Sequence, residues 1–276
     1  MYAAIDFGTT NTDVVIHSAG SELNFYTFLT QNVNLEFIDK IFKEISIDLS
    51  KIKSIAVTGG KSSNLENSYK EIPIEKINEI DAIALGAKNL YEINEDSFVV
   101  VSAGTGTACV HSNGVTHNHL GGISVGGGTL QGLSNCILGT STQSNIDKLS
   151  AKGKRENIDL LIGDVVNEIG SLYPEITASN FARARKIKNI SNEDLAASLS
   201  NMVGEVIGTV SYLNALLMGV QKVYFIGRVS NSDTVKKGIE DRLQLASVEG
   251  CFANNREFGN ALGALSFIKA KQIQPL

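Results

Sequence analysis

The stretch "AIDFGTTNTDVVI" (residues 3–15) decides how the rest of the chain is read. An apolar run ends in Asp6, a cluster of glycine and hydroxyl residues follows, and a second apolar run begins at Val14. This pattern predicts strands at 2–6 and 13–17 joined by a tight turn, with a third strand at 22–28 completing a meander. A turn made of Gly8, Thr9, Thr10 and Asn11 carries little side-chain bulk over its backbone N–H groups, and such nests bind anions, phosphate above all. Asp6 cannot serve a phosphate directly. It can orient Mg²⁺ or its water shell, which then meets the phosphates.

The pattern recurs. "FVVVSAGTGTACVH" (98–111) is again strand, small-residue turn and strand, with Gly104, Thr105 and Gly106 in the turn. A single turn of this kind is explained equally well as an ordinary hairpin without a ligand. Two of them, followed by the glycine turn of "FIGRVSN" (225–231), predict two related halves facing each other across a nucleotide. The boundary falls near residue 95, dividing the chain into 1–95 and 96–276.

The 276 residues suffice for one large α/β unit or two subdomains. With 43% apolar and 19% charged residues, the composition is that of a globular protein. A net charge of −5 argues against a general nucleic-acid or anionic-membrane surface. No apolar run is long enough to span a bilayer, and no signal peptide is expected, which makes the cytoplasm the default location. Cys109, Cys136 and Cys251 form no CxxC pair and read as small buried thiols. The four histidines form no cluster with them, so no structural zinc is expected.

Apolar spacing predicts helices over 34–49, 77–91, 142–170 and 193–219, and the last is apolar nearly all round. Residues 54–60 read as a buried strand ending in paired glycines. Residues 121–138 read as a glycine-rich loop running into a helix. Residues 222–244 read as strand, turn and helix. The closing helix, 259–271, has small residues at 259, 261, 263 and 264 that suit close backbone packing. "HSNGVTHNH" (111–119) reads as an exposed turn; alternatively His117 and His119 form a pH-sensitive pair or bind an anionic acceptor.

The whole arrangement resembles the superfamily of sugar kinases, actin and heat-shock chaperone ATPases. "DFGTTNTDVV" is similar to its first phosphate turn, "SAGTGTACV" to its second and "FIGRVSN" to its adenosine turn. "VTGGKSS" and "GNALGAL" are similar to its connecting segments. Within the superfamily the chain resembles type II pantothenate kinases over roughly 2–268. That likeness is carried by "INEIDAIALGAKNLY", "AGTGTACV", "GGISVGGGTLQGL", "SAKGKRENIDLLIGDVV" and "ITASNFA". It implies a fold of two duplicated ribonuclease-H-like (actin-like ATPase) subdomains with a nucleotide cleft between them. The implied activity is ATP- and Mg²⁺-dependent phosphorylation of a small acceptor, pantothenate or an analogue. The family is usually homodimeric; the apolar helix would supply that contact or is simply a core helix.

The resemblance also implies roles. Spacing alone makes Glu79 a solvated helix residue, whereas the family places its general base there. Asp6 would orient the metal. Gly8, Thr9, Thr10, Asn11, Gly104, Thr105 and Gly106 would hold phosphates. Gly126, Gly127 and Gly128 would let a helix N-terminus approach nucleotide or acceptor. Gly227 and Ser230 belong to the adenosine turn. Thr105, Thr107 and His119 would face the acceptor. Arg228 is expected near the base or at the surface, away from the γ-phosphate.

Three positions depart from that family. Asp13 stands where a lysine is usual, His119 where an arginine is, and Ala108 where a serine is. The departures touch the phosphate edge and the acceptor pocket, not the scaffold. They keep open a second class, a non-kinase ATPase of hydantoinase/oxoprolinase type or a regulatory nucleotide-binding protein.

Overall fold

The computed structural model describes residues 1–18, 22–166 and 173–273. The first half runs β1 (Tyr2–Phe7), β2 (Asn11–His17), β3 (Leu23–Leu29), α1 (Leu35–Glu44), β4 (Ser54–Thr58), β5 (Ser68–Tyr69), β6 (Ile72–Lys76) and α2 (Glu79–Leu90). The remainder runs β7 (Phe98–Ala103), β8 (Thr107–Ser112), β9 (His117–Ile123), α3 (Gly127–Leu138), α4 (Gln143–Ser150), β10 (Leu160–Leu161), β11 (Thr177–Ser179), α5 (Asn192–Met218), β12 (Lys222–Ile226), α6 (Asp233–Leu245), β13 (Glu249–Cys251) and α7 (Gly259–Ile273).

The two large sheets share one topology. The first is ordered β3-β2-β1-β4-β6-β5 and the second β13-β12-β7-β8-β9. In each, an antiparallel three-strand meander is extended by a parallel strand beside its first member, β4 beside β1 and β12 beside β7. The duplication expected from the two turns is therefore present in strand order.

Strand alternation assigns each face its work. Ala3, Ile5 and Phe7 pack under α1, against Phe37, Ile38, Ile41 and Phe42. Each of the buried isoleucine and phenylalanine side chains among them stabilises by roughly 1.5–3 kcal/mol. Ala4 points the other way, toward α7, and Asp6 shares that face by the period of two. In the second half Val99, Val101 and Ala103 face α5 and α6, while Phe98 and Val100 face α2.

The last helix of each half packs on the opposite sheet. α2 covers β7, β8 and β12, and α7 covers β1 and β4. The pair crosses at glycine. A Cβ on Gly86 would overlap the Gly259 carbonyl, and one on Gly263 would overlap that of Ala82. The small residues of the closing helix are thus used for backbone contact. α5 and α6 cross in the same way at Gly204, Gly208 and Gly238.

Four local expectations are corrected. The helix read over 34–49 is shorter: Asn34 caps it through the Phe37 N–H, and it ends at Glu44, before Ser46 at φ 54°. The helix read over 142–170 spans only Gln143–Ser150; residues 167–170 lie outside the described residues. After it, Gly153 abuts the Glu193 carbonyl, and Asp194 accepts from the Lys154 N–H and from Asn157, which pulls the chain out of helical geometry. His111 and His117 lie in paired strands β8 and β9, because the true turn is 113–116, organised by the Asn113 side chain accepting from Val115 and Thr116. Cys109 is buried as expected, whereas Cys136 is exposed on α3 and Cys251 is half-buried.

Candidate active site

The turn between β1 and β2 is tight because Gly8 leaves no side chain over the Asn11 carbonyl, which a Cβ would approach to 2.6 Å. It is braced from β3. The Thr30 hydroxyl donates to the Gly8 carbonyl at 2.7 Å and lies 2.9 Å from the buried Thr12 hydroxyl. In the equivalent turn of the second half, the Gly104 N–H donates to the Gly106 carbonyl at 2.9 Å. The two turns face each other, with the Thr10 and Thr105 hydroxyl oxygens 3.2 Å apart.

A cleft lies at that contact. Asp6, Gly8, Thr9, Thr10, Asn11, Gly104, Thr105, Gly127, Gly128 and Gly227 all line it. Gly106, Gly126, Thr107, Ser230, Glu79 and His119 do not. The Thr107 hydroxyl is buried and donates to the Val125 carbonyl at 2.8 Å. Ser230 is buried under the third turn, where its hydroxyl accepts from Arg256 at 3.0 Å. His119 is exposed on β9, opposite Val110.

The glycine triplet acts on the protein itself. The Gly127 and Gly128 N–H groups donate to the Gly104 and Thr105 carbonyls at 2.8 and 2.9 Å. A Cβ on Gly126 would sit 2.7 Å from the Thr105 carbonyl and 2.8 Å from that of Gly104. The N-terminus of α3 is therefore spent on buttressing the second turn.

Asp6 lines the cleft, partly open but densely surrounded by protein. It pairs in register with Asp13 on β2 and Thr58 on β4, so the three side chains share one face. Gly59, at φ 73°, follows at the end of β4, and a Cβ there would overlap the Asp6 carboxyl. Burial pushes the Asp6 carboxyl up to about 8; the Asp13 and Glu79 carboxylates add to the rise, and a hydrogen bond from Asn260 opposes it. Glu79 is exposed at the start of α2, which Asn78 caps through the Ile80 N–H, and its charge reaches Asp6. Ser102 holds in β7 the place that Asp6 holds in β1, two residues before the turn glycine, and it too lines the cleft.

Asp13 is buried. Burial raises its carboxyl against the pull of the Thr27 hydroxyl, which donates to it at 2.6 Å, and of Arg228. Arg228, expected near the base or at the surface, lines the cleft and reaches across it to Asp13 at 2.6 Å. Asn260, Glu257, Gln131 and Gln143 also line the cleft and were not singled out by sequence reasoning. They reach it from α3, α4 and the α7 end, and no local pattern marks them.

The chain matches the Fumble family profile over residues 7–265. It is 30% identical over 273 residues to a type II pantothenate kinase of Bacillus thuringiensis subsp. konkukian, covering 95% of both chains. It is 28% identical over 272 residues to that of Staphylococcus saprophyticus, covering 96% of this chain and 99% of the relative. Among solved structures it superposes on the activator of 2-hydroxyisocaproyl-CoA dehydratase from Clostridium difficile with bound ADPNP. That likeness has a TM-score of 0.66 and 17% identity, covering 100% of this chain and 98% of that one. It also superposes on a ROK family glucokinase from Streptomyces griseus in complex with glucose and AMPPNP, with a TM-score of 0.61 and 11% identity over 96% and 98% of the chains. These likenesses show the fold, that of the actin-like ATPases. The chain belongs to the Fumble family, that of the type II pantothenate kinases.

Proposed function

We propose that the protein is a kinase that transfers the γ-phosphoryl group of ATP to a hydroxyl of pantothenate or a related small acceptor. The observation that carries this reading is the meeting of two glycine–threonine turns, one from each half, at a cleft lined by Asp6 and Asp13. Backbone N–H groups and threonine hydroxyls of 8–11 and 104–106 hold the phosphate chain. The Gly227 turn takes the adenosine side. In the transfer, the acceptor oxygen bonds to the γ-phosphorus, the bond to the bridging oxygen breaks, and ADP leaves. Glu79 takes the acceptor hydroxyl proton. Glu79 is exposed in the first turn of α2, and its charge reaches Asp6, which supports this role.

The residues fit a magnesium ion that arrives with its nucleotide. Among the described residues no three carboxyl, histidine or cysteine side chains cluster as a resident metal cage. Mg²⁺ bound through one carboxylate and substrate phosphates needs no cage. Asp6 offers that carboxyl, and beside it the buried Asn260 Oδ1 has no hydrogen-bond partner and can accept from a metal-bound water. The ion supplies neutralisation of the phosphate charge.

We further propose two units, 1–95 and 96–276, a cytoplasmic location and a homodimer. Leu213, Leu216 and Leu217, exposed at the end of α5, support the dimer. No described helix is long and apolar enough to cross a membrane. A second reading, a non-kinase ATPase, draws on Asp13, His119 and Ala108. ADP release measured with and without pantothenate separates the two. Acceptor-dependent release lost in Glu79→Gln supports the kinase; acceptor-independent release unchanged by that substitution supports the alternative.

A further inference from the structure

The lining of the cleft is electrically lopsided. Asp6, Asp13 and Glu257 contribute carboxyls, and Arg228 is the single basic side chain among the described lining residues. A polyphosphate entering such a site meets carboxyls on several sides and, apart from any metal it brings, one cation. That cation is held in place. One Arg228 guanidinium nitrogen donates to Asp13 at 2.6 Å and to the Thr27 hydroxyl at 3.1 Å. Asp13 is fixed in turn by the Thr27 hydroxyl. The other guanidinium N–H groups have no hydrogen-bond partner among the described residues, and over a third of the side chain is exposed. The backbone that carries Arg228 is equally constrained. Gly227, at φ 92°, donates its N–H to the Arg256 carbonyl at 2.8 Å and lies tight against Ala103, next to the second turn. A planar fork anchored on one nitrogen and open on the others is suited to a phosphate.

The geometry points to Arg228 as the protein's cation for the nucleotide phosphates, delivered by the second half across the cleft, with Asp13 as the positioning residue that aims it. This rests on the proposed nucleotide reading. Asp13, although an anion beside the phosphate site, then favours binding, because an ordered guanidinium is worth more there than the repulsion costs. An arginine left free on its stem would lose rotamer entropy on binding.

Calorimetry on the full chain with Mg·ADP and, separately, adenosine tests this. Arg228→Gln is expected to weaken Mg·ADP by about tenfold to a hundredfold, the loss of a charge-assisted contact, and adenosine by less than about twofold. Arg228→Lys keeps the charge without the fork and is expected to fall between. Asp13→Ala provides a test of sign. Removing a mere repulsive anion strengthens Mg·ADP binding, whereas removing an anchor weakens it, which is the expected result. Thermal melts establish that each variant is folded. Equal losses for ADP and adenosine in Arg228→Gln, or no loss, overturn the assignment of Arg228. Tighter binding in Asp13→Ala overturns the role of Asp13. If the unaltered protein binds neither ligand, the nucleotide reading itself fails, and this inference with it.

Discussion

The hydroxyls of Thr10 and Thr105 lie 3.2 Å apart although the residues are 95 positions apart in the chain. They sit one in each of the two duplicated turns, and both line the cleft. Replacing either with valine removes a donor from the phosphate site and the contact between halves. Each single variant is expected to lose a few-fold in Mg·ATP affinity. The double variant should lose less than the sum, with a coupling of about 0.5–1.5 kcal/mol. A double-mutant cycle by calorimetry reads this; strict additivity would show that the contact does not join the two turns.

Asp6 makes stability depend on pH in an unusual direction. Its carboxyl is raised from 3.8 to about 8 in the folded protein. Between those values the folded state holds a proton that the unfolded state releases, so stability falls as pH rises through this window. The ligand-free protein is expected to melt progressively lower from pH 5 to pH 8. Asp6→Asn should flatten that slope, raise the melting temperature at pH 8, and abolish Mg·ATP binding. Melting curves across pH check the first two; a slope unchanged in Asp6→Asn refutes the assignment.

Binding should also release that proton. Near pH 7 Asp6 is largely protonated, and a metal-bearing nucleotide requires the carboxylate. Calorimetric titration with Mg·ATP in buffers of different ionisation enthalpy should report close to one proton released per site, falling toward none above pH 9. No buffer dependence at pH 7 would count against Asp6 as the metal's carboxyl.

Glu79→Gln should lower kcat by about a hundredfold to ten-thousandfold, the range of general-base catalysis, with KM for ATP nearly unchanged. The separation follows from position. Glu79 is outside the cleft that the phosphate turns line. Steady-state kinetics with pantothenate, or whichever hydroxyl acceptor is turned over, gives the split; a proportionate rise in KM for ATP with kcat intact would reassign Glu79 to nucleotide binding.

Gly263→Ala tests the crossing of α2 and α7. The added methyl would overlap the Ala82 carbonyl, and backbone on both sides must shift. Overpacking of this kind costs about 3 kcal/mol. The melting temperature should drop by roughly 5–10 °C. Gly132→Ala, a helical glycine whose Cβ would meet nothing within 4 Å, serves as the control and should be neutral or slightly stabilising. Equal effects at the two positions would remove close helix approach as the reason for the glycine.

What the amino-acid sequence determined by itself was local. Apolar runs broken by Gly8–Thr10 and Gly104–Gly106 are short-range patterns, and they sufficed for the strands that flank them, the turns and the duplication. The small residues of 259–264 announced a close helix contact for the same reason, although not with which helix. Where a segment is governed by distant partners, local reading failed. Residues 151–166 carry helical spacing, yet Asp194, forty positions on, draws Lys154 into another geometry. His111 and His117 look like turn residues and are strand residues because β8 and β9 pair. The electrostatics of the cleft were decided by tertiary structure alone. Nothing near Asp13 in sequence supplies a cation, and its partner Arg228 comes from 215 residues away. Charge acts through space rather than along the chain, so only the closed fold reveals which carboxyl is paired and which, like Asp6, is not.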